Sequence, residues 1–190
     1  MKQQLMQLSD YKTNKDKVKF PCYASVELEG VPAIYKMFRG KLRLYVRNGI
    51  PVDVLPHHQK ALEKIFNALD NKMLVGIIAK HTEPVDKIYD SIIHHNDLTK
   101  ELSFWIYDFP DLKGTYGKRC EEGYEKIQKV NTNPFVNLIN VGVIASHDGV
   151  EKSLEKGVEL GFNSIILNNP KGRYKFNSTS TNVFRYKKED

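Results

Sequence analysis

Two carboxylates open the chemistry of this chain. Glu27 and Glu29 alternate with Val26 and Leu28 in the run Ser25-Val26-Glu27-Leu28-Glu29-Gly30. Alternation at period two puts both acids on one side of a strand, as an acidic patch or as part of a binding surface. Lys36 and Lys41 follow shortly after. A deprotonated lysine amine is a nucleophile, but lysines on an exposed hairpin are ordinary surface residues. The histidine pairs His57-His58 and His94-His95 are poor chelates, because neighbours on a helix point about 100° apart. They fit helix-end histidines interacting with the dipole. His81 and His147 have no partner that the sequence reveals. Cys22 and Cys120 lie in no metal-binding spacing and beside no His or Lys pattern, so they read as inert thiols. No metal site is expected.

The charge is unevenly placed. The net +6 divides into +3 over residues 1–20, +4 over residues 168–190 and −1 over the rest. The C-terminal excess comes from Lys171, Arg173, Lys175, Arg185, Lys187 and Lys188 against Glu189 and Asp190. Basic ends on a neutral body fit an anionic partner such as nucleic acid, or simply a solvated tail. With 190 residues, 41% hydrophobic and 27% charged, the chain is long enough to bury a core and is neither disordered nor collagenous. No apolar stretch approaches the ~18 to 20 residues of a membrane span, so no membrane partner is expected. The polar, Lys-rich start carries no signal-peptide pattern. Two cysteines suit a reducing cytoplasm.

The elements that must position these residues follow from the pattern. Residues 1–20 read as an extended arm or short helix, and residues 21–190 as a single domain. Residues 23–28, 31–37 and 42–46 are strands, the last two joined by the hairpin signal Phe38-Arg39-Gly40-Lys41. Arg47-Asn48-Gly49 is a second turn signal. After Pro56, Ala61, Leu62, Ile65, Phe66 and Leu69 share a helical face, with Asn71 as the stop. Residues 73–79 form a buried strand. A second helix is marked by Val85, Ile88, Tyr89, Ile92 and Ile93. Residues 102–109 form a strand with Trp105 placed in the core. A helix spans 116–130 and a strand 138–144. Ser146 caps a helix that ends at Gly161. Strands follow at 164–167 and 183–187, with a loop or hairpin between them. Without a regular βαβ rhythm, the expectation is an α+β domain with largely antiparallel sheets.

The order of segments resembles the nucleotidyltransferase, or adenylation, domain of ATP-dependent DNA ligases, especially short phage ones. The resemblance runs from about Tyr23 to the C-terminus. Ser25-Val26-Glu27-Leu28-Glu29-Gly30-Val31 sits where that family has K-x-D-G-hydrophobic. Leu44-Tyr45-Val46-Arg47-Asn48-Gly49 matches its S-R-N-G turn, with Val46 for the serine. Leu74-Val75-Gly76-Ile77-Ile78 stands at L-D-G-E-L, and Phe104-Trp105-Ile106-Tyr107-Asp108 at an aromatic strand ending in Tyr-Asp. The run 161–170, Gly161-Phe162-Asn163-Ser164-Ile165-Ile166-Leu167-Asn168-Asn169-Pro170, resembles G-x-E-G-hydrophobic-hydrophobic-L-[KR]-x-P and is followed by a matching Tyr174. Phe184-Arg185-Tyr186-Lys187 stands at the closing L-K-x-K. The resemblance implies an ATP-grasp-like α+β domain, with antiparallel sheets flanking a cleft. The family continues into an OB-fold domain, for which this chain leaves no length.

The departures fall on the charged positions. In the family the motif lysine attacks the α-phosphate of ATP and becomes a lysyl-adenylate, which requires a nucleophilic amine beside a polyanion. This chain has Glu27 there, and the motif acid is kept only as the longer Glu29. Two glutamates that help hold the divalent metal are replaced by Ile77 and Asn163, and an aspartate by Val75. Hard cations need oxygen ligands, and isoleucine has none. The first closing lysine is Arg185, only Lys187 is kept, and the late lysine of the G-x-E-G run is Asn168. The glycines Gly30, Gly49, Gly76 and Gly161 persist, with Arg47, Tyr107, Asp108 and Tyr174.

The resemblance therefore implies a pseudoenzyme with no catalytic residue and no cofactor. Its vestigial cleft would comprise Glu27, Glu29, Arg47, Ile77, Asn163, Arg185 and Lys187. It would act by binding, as a phage product that blocks a host or defence protein in the bacterial cytoplasm, or as a DNA nick- or end-binding protein. Lys171, Arg173, Lys175, Lys187 and Lys188 are the candidate DNA contacts. The competing expectation is a working nucleotidyltransferase with displaced residues, using ATP and Mg²⁺.

Overall fold

In the computed structural model, residues 5–46, 49–69 and 73–189 are described. The elements in chain order are β1 (Gln7–Asp10), a 3-10 helix (Lys12–Lys17), β2 (Cys22–Val26), β3 (Val31–Phe38), β4 (Lys41–Val46) and β5 (Ile50–Val52), then α1 (Pro56–Leu69), β6 (Met73–Ala79) and α2 (Val85–Ile93). A second 3-10 helix (Asp97–Glu101) precedes β7 (Ser103–Asp108), α3 (Tyr116–Val130), β8 (Val136–Leu138), β9 (Gly142–Ile144), α4 (His147–Glu159), β10 (Ser164–Asn168) and β11 (Thr179–Lys187). Arg47 and Asn71, the expected turn arginine and helix stop, lie outside the described residues.

The chain divides into two units. The first holds Leu28–Lys113 and Lys118–Leu138. It carries a six-stranded sheet in the order β5-β4-β3-β6-β7-β8. Its core joins the inner face of that sheet (Val31, Ala33, Tyr35, Leu44, Ile78, Phe104) to the apolar stripes of α1 and α2. These are the periodic residues the sequence marks, Leu62, Ile65, Ile88 and Ile92 among them. Gly76 sits where β6 meets β7 closely. A Cβ there would overlap the Trp105 carbonyl oxygen and lie 2.5 Å from the Phe104 ring. Only glycine fits without a backbone shift.

The second unit holds Leu5–Glu27, Gly114–Gly117 and Ile139–Asp190. Its five-stranded sheet runs β1-β11-β10-β2-β9, with α4 packed on the face bearing Cys22, Ala24, Ile165, Leu167 and Phe184. Ser146 caps α4 by accepting a bond from the Gly149 N–H at 3.3 Å. Gly161, at φ 89°, ends the helix, and the Phe162 N–H returns to the Gly157 carbonyl at 2.9 Å, a left-handed C-terminal cap. Residues 7–10, from the segment read as an arm, form the edge strand β1 alongside β11.

Two expectations change. The strand expected over 138–144 is two short strands, β8 in the six-stranded sheet and β9 in the five-stranded one. The apolar run continues while the chain passes from one unit to the other, so periodicity alone does not mark the break. Trp105 is half-buried rather than part of the core. Phe104 and Ile106 take the buried side of β7, because alternation allows only every second residue to face inward. The sheets are largely antiparallel, as expected; the exceptions are β1 with β11 and β7 with β8, which are parallel.

Candidate functional site

The residue at the head of the family resemblance, Glu27, lies at the end of β2 in the second unit. Its N–H donates to the Ser164 carbonyl at 2.9 Å, prolonging the β2–β10 pairing by one residue. In that sheet Ser25 and Arg185 both pair with Ile166, and period two places Glu27 on the same face as Ser25. The Glu27 carboxylate accepts from Arg185 Nε at 2.8 and 3.0 Å and from Arg185 Nη2 at 2.5 Å. Ser164 Oγ donates a further bond at 2.5 Å. The geometry is a fork of guanidinium on carboxylate, which satisfies both oxygens. The glutamate side chain is 18% exposed and the arginine 50%. Lys187 pairs with Ser164 in the register and belongs to the same sheet face. Asn163 immediately precedes β10, and its carbonyl accepts from the Lys188 N–H at 2.9 Å. The second unit thus brings Glu27, Asn163, Arg185, Lys187 and Lys188 to one end of its sheet.

Glu29 and Ile77 belong to the first unit. Glu29 is exposed and Ile77 half-buried. Ile77 pairs with Trp105 on the sheet face turned away from the core. Gly30 passes directly over β6, where an added Cβ would lie 2.5 Å from Ile77 Cγ2.

The first unit has its own polar centre, and half of it is invisible in the sequence. Asp108 ends the aromatic strand β7. Its carboxylate takes two parallel bonds of 2.9 Å from Arg119 Nε and Nη2 on α3, and a third of 2.6 Å from the Phe109 N–H. Both side chains are buried, 5% and 3% exposed. Nothing in the residue pattern singles out Arg119 as the partner. The helical register would have supplied one hint, since Arg119 lies one position before Cys120 and four before Gly123 on the buried side of α3.

His58 is also buried there. Its Nδ1 lies 2.9 Å from Tyr35 Oη and its Nε2 2.9 Å from the Leu102 carbonyl. The carbonyl can only accept, so Nε2 donates to it and Nδ1 accepts the tyrosine proton. Burial, reinforced by the neighbouring His57, pushes the His58 pKa down to about 3. The imidazole is therefore neutral and structural. His57 reaches the same carbonyl at 2.8 Å. His147, without an evident partner in the sequence, lies in the second unit with its Nδ1 2.9 Å from Tyr11 Oη. His94 is the C-terminal cap residue of α2.

Lys171, Arg173 and Lys175 occupy the loop between β10 and β11. All three are exposed, while Gly172 is buried and Tyr174 and Phe176 are half-buried. The alternation holds the aromatic side chains against each other, ring centroids 4.8 Å apart, and turns the cations outward. Among the described residues none of the three meets a carboxylate.

The residues present do not fit a metal-bound triphosphate. Among the described residues no three His, Cys, Asp or Glu side chains gather where a metal ion could sit. The acid closest to the motif position, Glu27, is turned onto Arg185. Ile77 offers no oxygen ligand, and Asn163 offers only a neutral amide.

The fold is that of the nucleotidyltransferase domain of ATP-dependent DNA ligases. Among solved structures the chain is similar to a Lig E DNA ligase, at 16% identity and TM-score 0.73 over 97% of this chain and 68% of that one. It is similar to the Chlorella virus DNA ligase-adenylate, at 14% identity and TM-score 0.75 over 98% of this chain and 68% of that one. It is also similar to the ATP-dependent DNA ligase of bacteriophage T7 in complex with ATP, at 11% identity and TM-score 0.72 over 95% of this chain and 67% of that one. The chain thus spans about two thirds of the length of each. No protein-family model matches the chain, and no curated protein does. Among the described residues no helix is long and apolar enough to cross a membrane.

Proposed function

We propose that this protein is a ligase-like pseudoenzyme that acts by binding. One observation carries the reading. The position where the resembling family has its nucleophilic lysine holds Glu27, and that carboxylate is already committed to a bidentate pair with Arg185 and to Ser164. A carboxylate repels a triphosphate. Two unit charges about 4 Å apart interact by roughly 4 kcal/mol at an effective dielectric of about 20. An acyl adenylate formed there would be a labile mixed anhydride.

Incubation of the protein with labelled ATP and Mg²⁺ or Mn²⁺, followed by a denaturing gel, tests the reading. No covalent AMP adduct is expected. An adduct would establish the competing reading, a nucleotidyltransferase with displaced residues.

The partner we favour is a protein of the host or its defences, with this chain as a phage product in the bacterial cytoplasm. A specific observation supports a second reading, DNA nick or end binding. Lys171, Arg173 and Lys175 are exposed and meet no carboxylate among the described residues, and backbone neutralisation needs no catalytic residue. If DNA is the partner, changing all three to Ala lowers affinity for a nicked duplex and flattens its salt dependence. Glu27→Ala leaves that affinity intact.

A further inference from the structure

Residues 31–52 carry Lys36, Arg39, Lys41, Arg43 and Arg47 and contain no Asp or Glu. The structure gathers four of these cations on the β3–β4 hairpin of the first unit. The strands pair Lys36 with Arg43 and Phe38 with Lys41, so the side chains of Lys36, Phe38, Lys41 and Arg43 share one face. Arg39 and Gly40 form the two-residue tip, with φ 50° and 72°, the left-handed geometry that matches the twist of a tight hairpin. Among the described residues Lys36, Arg39, Lys41 and Arg43 meet no carboxylate.

Phe38 stands 44% exposed among them. The Arg39 guanidinium lies over its ring at 5.2 Å from the centroid and that of Arg43 at 5.7 Å. A groove of about 250 Å³ runs along the adjoining β4–β5 edge, lined by Lys41, Arg43, Pro51, Val52 and Val54. Asp53 also lines it.

We propose that this hairpin is a binding surface for single-stranded nucleic acid, with Phe38 as a base-stacking platform and Lys36, Arg39, Lys41 and Arg43 as phosphate contacts. The argument is chemical. An exposed aromatic ring flanked by guanidinium planes offers a π-face to any unpaired base, and exposed cations at strand spacing track a phosphodiester backbone. A base stacked inside a duplex cannot reach such a ring, so the surface selects unpaired strands. An acidic protein surface would use the cations but would leave Phe38 without a role. The inference is independent of the proposed loss of catalysis, and its residues belong to the first unit, whereas Lys171, Arg173 and Lys175 belong to the second.

Fluorescence anisotropy with labelled oligo-dT, oligo-rU and a blunt duplex, each of about 15 nucleotides, tests it at low and at physiological salt. Wild type is expected to bind one or both single strands more tightly than the duplex. Phe38→Ala is expected to weaken single-strand binding roughly ten-fold, as the loss of one stack implies, with an unchanged melting temperature because the ring is half-exposed. Lys41→Ala with Arg43→Ala is expected to flatten the log–log salt dependence by about 1.4, at roughly 0.7 per phosphate contact on a single strand. Changing Lys171, Arg173 and Lys175 to Ala is expected to leave oligo-dT affinity unchanged. The comparison of dT with rU then tells DNA from RNA. The proposal is overturned if wild type binds neither strand at low salt, if Phe38→Ala binds as wild type does, or if the loop variant alone removes binding.

Discussion

Among the described residues each unit contains one acid–arginine fork, and the two forks differ in almost everything but geometry. Asp108, at the end of β7, and Arg119, on α3, are 5% and 3% exposed. Glu27 and Arg185 are 18% and 50% exposed on one face of the five-stranded sheet. The first pair is held by the packing around it and by a third bond from the Phe109 backbone. Removing one partner there strands a charge in a medium that cannot solvate it. The second pair loses little if broken, because water replaces the missing partner. Asp108 stands at a position that the ligase resemblance retains, and Glu27 at one that it loses. A buried ionic pair is fixed by its surroundings, whereas a charged position in contact with water can change sign without unfolding the sheet.

The largest test of that contrast is Asp108→Ala, which is expected to cost about 3 to 5 kcal/mol in urea unfolding. The double change Asp108→Leu with Arg119→Met should recover much of that loss, since it removes both charges from the interior. A small effect of Asp108→Ala would abolish the distinction between the two forks.

Acid titration examines the same interior by another route. The folded pKa of His58 is about 3, against an unfolded value near 6.5. Between those values the unfolded chain holds a proton that the folded chain does not. The contribution of His58 to stability is therefore complete above about pH 6.5 and is lost as the pH falls towards 3, at about 1.4 kcal/mol per pH unit. Chemical denaturation between about pH 6.5 and 5 should show this slope, and His58→Gln should flatten it. An equal slope in that variant would remove His58 from the account.

Gly76→Ala places a Cβ against the Trp105 backbone and is expected to cost about 1 to 3 kcal/mol, the usual range for overpacking. The smallest effect is reserved for the exposed fork. Glu27→Ala should change stability by no more than about 1 kcal/mol. A loss as large as that from Asp108→Ala would make the Glu27–Arg185 pair a structural element.

Much of the scaffold is legible in the chain. The helix at 116–130 and the strand at 73–79 have the bounds that the periodicity assigns. The hairpin tip at Arg39-Gly40 and the Ser146 cap also fall where local chemistry puts them. The candidate site is legible only in part. The replacement of a lysine by Glu27 can be read from the order of motifs, but its fork with Arg185 joins positions 158 residues apart. Trp105 shows the same limit from the other side. An aromatic strand announces burial, but not which of its alternating faces is buried.

The sequence by itself determines what is local: helical stripes, strand alternation, turns that need glycine, and the absence of an amine and of acidic metal ligands at the resembling positions. These follow from backbone geometry and side-chain chemistry within a few residues. Only the tertiary structure decides the pairings. It sends β8 and β9 to different sheets, commits Asp108 to Arg119, neutralises His58 by burial, and gathers cations around Phe38. Each of these depends on which distant segment supplies the neighbour, and burial then sets whether the resulting charge is costly or cheap.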